Sequence, residues 1–76
     1  MAGTIKITVV SGISADYYEV QSEELGNRTF GCWEQEELKA FIGDREVEWV
    51  RGRNVFRGDI VDDWFFNSMV EGVMGP

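Results

Sequence analysis

The stretch YYEVQSEELGNRTFGCW, residues 17–33, decides the architecture. Tyr18 and Val20 alternate with Glu19 and Gln21, and this period of two predicts a strand from Tyr17 to Glu23 with one covered face. A further strand is expected over residues 28–33, and Leu25-Gly26-Asn27 between the two is a hairpin signal. A loop of Gly26 and Asn27 alone would set Val20 against Trp33 and leave Phe30 beside Glu23, which makes a poor core. A loop of Leu25, Gly26 and Asn27 instead pairs Ser22 with Phe30, Val20 with Cys32 and Glu24 with Arg28, so the apolar side chains share one face. The opposite face then carries Tyr17, Glu19, Gln21, Glu23, Thr29 and Trp33, with a gap at Gly31.

Upstream, Ile5, Ile7 and Val9 alternate with Lys6 and Thr8 as another half-covered strand, ended by Ser11-Gly12. Downstream, an acidic turn at residues 34–37 precedes Leu38, Phe41 and Ile42 at helical spacing, and Gly43 is placed to stop that helix. Residues 46–50 alternate again, with Val47 and Trp49 facing one way. Arg51-Gly52-Arg53-Asn54 reads as a turn into a short strand at Val55-Phe56-Arg57. A second helix is expected with Asp59 as its cap and Asp62 and Asp63 in its first turn. Ile60, Val61, Trp64, Phe65, Met69 and Val73 would form its buried face. The order β-β-β-α-β-β-α predicts an α+β fold, an antiparallel sheet of four to five strands with two helices on one face. No linker or repeat divides residues 1–76, which read as one domain.

At 76 residues, most apolar side chains are consumed by one core, and three Trp and five Phe supply large buried areas without disulfides or metal. The lone Cys32 suits a reducing compartment, the N-terminal residues lack the pattern of an export signal, and no apolar run reaches membrane-spanning length. A cytoplasmic protein is expected.

Fourteen Asp and Glu against seven Lys and Arg leave a net charge of −7, unevenly spread. Residues 16–48 hold Asp16, Glu19, Glu23, Glu24, Glu34, Glu36, Glu37, Asp44, Glu46 and Glu48 against Arg28, Lys39 and Arg45. Residues 51–57 reverse the sign with Arg51, Arg53 and Arg57. A field of net negative sign repels nucleic acid and membranes and attracts basic protein surfaces.

The absence of histidine removes the commonest general base and the commonest zinc ligand together. Cys32, placed mid-strand on the inner face, reads as a buried inert thiol. The carboxylate groups Glu34, Glu36, Glu37 and Asp59, Asp62, Asp63 fall in helix first turns, where capping and dipole already account for acids. Neither group has the oxygen-rich loop with a central Gly that calcium sites use, and Gly52 and Gly58 lack phosphate-loop spacing. The Arg-rich segment with Phe56 has the residue types of a nucleic-acid binder, but the field of the whole chain opposes direct binding. The expectation is a chain without enzymatic activity or cofactor.

What remains is an acidic surface with interleaved aromatics: Glu19, Glu23, Trp33, Glu34, Glu36, Glu37, Glu46 and Glu48 as partner-binding residues. An exposed Trp rimmed by charge is a typical interface anchor. In size, acidity, lack of catalytic residues and aromatic content, the chain resembles the small inhibitors encoded by bacteriophages and mobile elements, anti-CRISPR proteins and DNA mimics above all. The likeness is one of type, carried by no shared motif. It implies that spaced carboxylates imitate phosphates and occupy a basic nucleic-acid-binding surface of a host complex. Two further classes fit the same residues: an adaptor or phage morphogenesis component that self-associates through Trp33, Trp49 or the C-terminal helix, and a β-grasp-like interaction module suggested by ββαβ order. Gly75-Pro76 is not the di-glycine tail of conjugated β-grasp proteins.

Overall fold

The structure, a computed structural model, describes residues 3–24 and 26–75. Strands β1 (Thr4–Ser11), β2 (Asp16–Ser22) and β3 (Gly26–Gly31) are followed by a 3₁₀ turn (Cys32–Glu34) and helix α1 (Gln35–Ile42). Strand β4 (Glu46–Asn54) and helix α2 (Asp63–Met74) complete the order β-β-β-α-β-α. The fold is α+β, with the sheet order β3-β2-β1-β4.

Two features of the expected sheet are corrected. It is mixed rather than antiparallel, because β4 lies parallel to β1, with Ile5 beside Val47 and Ile7 beside Trp49. A chain that leaves β3 and returns through a helix re-enters the sheet in the direction of β3, and α1 is that crossover. Among the described residues there is no fifth strand, since residues 51–54, read as a turn, extend β4, and residues 55–57, read as a strand, form the turn. Val9 opposes Arg51 whereas Ser11 opposes Asn54, so β4 carries an extra residue here.

The hairpin register differs by four from the expected one: Tyr18 pairs with Phe30, Val20 with Arg28 and Ser22 with Gly26. Glu23 and Glu24 belong to the turn, Leu25 of the expected loop lies outside the described residues, and Gly26 takes φ 77°. An even shift preserves side-chain parity, so Val20 and Phe30 still face inward. Cys32 is moved out of the strand into the 3₁₀ turn, half-buried against the core.

Both helices pack on one face of the sheet. Ile5, Ile7, Val9, Tyr18, Val20 and Phe30 meet Leu38 and Ile42 of α1 and Met69 and Val73 of α2, with Trp49 packed edge-on against Tyr18. Tyr18 hydroxyl donates to the Met69 carbonyl (3.0 Å) and accepts from Gln35 Nε2 (2.9 Å), tying the sheet to both helices. Desolvation raises the pKa of this phenol above its ordinary 10.0, against the lowering effect of the Gln35 hydrogen bond.

Helix α2 starts later than its acids suggest. Asp62, not Asp59, is the cap, its carboxylate accepting from the Phe65 N–H at 2.8 Å. Ile60 therefore precedes the helix, in a bridge with Arg53, and the buried stripe runs through Phe65, Met69 and Val73. Trp64, expected in the core, is 78% exposed.

Candidate binding surfaces

Because both helices cover one face, the other face of the sheet carries no helix among the described residues. Strand parity and register place on it Asn27 and Thr29 of β3, Tyr17, Glu19 and Gln21 of β2, Lys6, Thr8 and Val10 of β1, and Glu46, Glu48 and Val50 of β4, with Val10 buried and Tyr17 half-buried toward the far end. Lys6 lies between Gln21 and Glu48 in one cross-strand row, and Thr8 between Glu19 and Val50 in the next. A shallow hollow on this face is lined by Thr4, Lys6, Gln21, Glu23, Asn27 and Glu48 among others. Glu46 and Glu48, two apart on one strand, are about 6–7 Å from each other along it.

The eight expected partner-binding residues do not form one surface. Glu19, Glu46 and Glu48 occupy the open sheet face, and Glu23 stands at its rim in the β2–β3 turn. All four are exposed, and among the described residues none has a cationic group within 4.0 Å. Glu34, Glu36 and Glu37 belong to the helical layer instead. Glu34 accepts from the Gly31 N–H (2.9 Å) and closes the 3₁₀ turn. Glu37 meets Arg28 at 3.5 Å, while that guanidinium stacks over the Phe30 and Phe41 rings, 4.8 and 5.1 Å from their centroids. Glu36 is exposed on α1. Trp33 is 72% exposed, its indole lying over Gly31, 3.1 Å from where a Cβ at that position would stand. The gap left by Gly31 is thus filled by Trp33.

A second surface escaped the sequence reading. The strands β1, β3 and β4 run in the same direction, so their C-terminal ends meet at one end of the sheet. Ile13 (77% exposed) follows β1, Trp33 follows β3, and Val55 and Phe56 (81% exposed) follow β4. The Val55 N–H donates to the Ser11 carbonyl (2.8 Å), the Val61 N–H to that of Gly52 (2.9 Å), and Arg51 pairs with Asp63, which brings Ile60 and Trp64 to this end as well. Of the large apolar side chains exposed among the described residues, all but Met74 are here. One signal was available in the sequence: Val55 and Phe56 stand between Arg53-Asn54 and Arg57-Gly58, where no periodic face can bury them.

Trp49, a candidate for self-association, faces inward and packs on the core. Among the described residues, no three acidic or thiol side chains converge in a group that could hold a metal ion, and no helix is long and apolar enough to cross a membrane. Compared with known protein families, with characterised proteins and with solved structures, the chain matches none significantly.

Proposed function

We propose that this chain is a non-catalytic binding protein that occludes a basic surface of a partner with the open, acidic face of its sheet, in the manner of small phage inhibitors of nucleic-acid-binding complexes. The observation that carries this reading is the set Glu19, Glu23, Glu46 and Glu48: exposed, on or beside a face that no helix covers, and without a cation within 4.0 Å among the described residues. Carboxylates already paired inside a protein have little left to offer a partner, whereas unpaired ones keep their full attraction for Lys and Arg. The strands hold the backbone positions of Glu19, Glu46 and Glu48 at fixed spacings. Glu34 and Glu37 are engaged locally and do not belong to this surface.

The test is displacement of labelled DNA from RNA-guided effector complexes of the CRISPR type. Saturating, stoichiometric displacement that weakens as salt rises is expected, since exposed charges are screened over about 10 Å at 0.1 M. Reversing Glu19, Glu23, Glu46 and Glu48 together to Lys should slow association while the far-UV circular dichroism spectrum stays unchanged. Binding indifferent to both salt and nucleic acid would exclude phosphate mimicry.

A further inference from the structure

We propose that the apolar end of the sheet is a self-association surface on which a second copy of this chain docks about a two-fold axis. Trp33, Phe56 and Trp64 are 72%, 81% and 78% exposed, and Ile13, Ile60 and Val55 are 77%, 67% and 48% exposed at the same end. With aromatic side chains contributing about 150–250 Å² each, these six residues present apolar area on the order of 800 Å². Fully covered by a second copy, this summed area would match the about 800 Å² that one partner contributes to a standard interface.

The area fits a second copy as the occupant, and the charge of this end permits it. Two chains of net charge −7 repel through most of their surfaces. Residues 50–64, which supply Val55, Phe56, Ile60 and Trp64, hold three Arg against three Asp and are neutral, so the whole net charge lies elsewhere in the chain. Arg51 is bound to Asp63, and Arg57 lies 3.7 Å from Asp59. Arg53 has no carboxylate within 4.0 Å among the described residues and can pair with one of the second copy. Asp16 and Glu34 are the further acids at this end, and Glu34 is engaged by the Gly31 N–H. A two-fold contact here is self-complementary and keeps the two acidic sheet faces outside the interface.

Light scattering after gel filtration and sedimentation equilibrium, from low to high micromolar concentration, test this directly. The expected mass is twice the 8.7 kDa of one chain, with dimerisation strengthened by added salt as the like charges are screened. Phe56→Asp and Trp64→Asp should each raise the dimer dissociation constant by at least about tenfold, as loss of a central aromatic anchor does. Glu48→Lys, on the open face, should leave it unchanged. Both aromatic side chains are largely exposed in one chain, so circular dichroism of the variants should match the parent, as should thermal melting at concentrations low enough for the parent to be monomeric. A wild-type chain that stays monomeric at high micromolar concentration overturns the proposal, as does a dimer that both Asp variants leave intact. The opposite salt dependence separates this contact from the acidic-face binding, so either reading can fail alone.

Discussion

Where β2 turns into β3 and β4 begins, the side chains at the surface include Glu23, Glu24, Asp44 and Glu46; where β1, β3 and β4 end, they include Ile13, Trp33, Phe56, Ile60 and Trp64. The two ends are joined by the same strands and share the same core, yet one presents charge and the other apolar area. Neither is required for burial, because Ile5, Ile7, Val9, Tyr18, Val20, Phe30 and Leu38 lie between them beneath the helices. The lesson of the contrast is a division of labour: stability resides in the middle of the sheet, and recognition can be placed at its ends and on its open face at little cost to folding.

The sharpest way to break this division is to attack the middle. Phe30→Ala should destabilise by about 3–5 kcal/mol, enough to unfold a domain of this size at ambient temperature, because the ring is 1% exposed and packs on Phe41. Trp64→Ala should shift stability by no more than about 0.5 kcal/mol as a surface change. Chemical denaturation of both variants, at concentrations low enough for the chain to be monomeric, measures the difference, and a large loss at Trp64 would show that the apolar end belongs to the core after all.

Gly52→Ala tests the joint between core and apolar end. A Cβ there would lie 2.5 Å from the Val9 carbonyl oxygen, 2.8 Å from Thr8 Cγ2 and 3.0 Å from Val10 Cγ2, so β1 and β4 must separate locally. Overpacking of this kind costs about 1–3 kcal/mol. Faster amide exchange should be concentrated in residues 9–11 and 52–55, with the β2–β3 hairpin unaffected.

Tyr18→Phe removes the hydroxyl that links the sheet to both helices and leaves the Met69 carbonyl and the Gln35 amide without it, at a cost of about 1–3 kcal/mol. The same group gives the fold a dependence on alkaline pH. Its folded pKa is raised above the unfolded 10.0, so its contribution is complete below that value and is lost as pH climbs through the folded one. Denaturation midpoints of the parent should fall above about pH 10 more steeply than those of Tyr18→Phe.

The smallest effect on stability is expected from Glu19→Lys with Glu48→Lys, within about 0.5 kcal/mol, because both side chains are exposed and unpaired among the described residues. The same pair should weaken binding to a basic partner, measured by surface-immobilised association kinetics. Stability and binding would thus respond to different residues, which sharpens the contrast between middle and periphery.

The α+β class, the inward set of β1, the acidic exposed set on the other face and the stop of α1 at Gly43 were legible in the residues themselves. They follow from periods of two and 3.6 and from the positive φ of 56° that glycine adopts without strain, all of which are local. Side-chain parity also survived a hairpin register displaced by four residues, so Val20 and Phe30 were placed on the right face although opposite the wrong neighbours. Tertiary structure decided what depends on contacts distant in sequence. The pairing of β4 with β1 drew residues 51–54 into a strand and made the sheet mixed. The hydrogen bond from the Val61 N–H to the Gly52 carbonyl and the cap at Asp62 placed the start of α2, which turned Trp64 outward. The gathering of exposed apolar residues at one end was likewise invisible along the chain, because Ile13, Trp33 and Phe56 reach it through the shared direction of β1, β3 and β4, and Trp64 through the Arg51–Asp63 pair. Hydrophobic periodicity states which face of an element is buried, and the order and sense of the strands decide which ends meet.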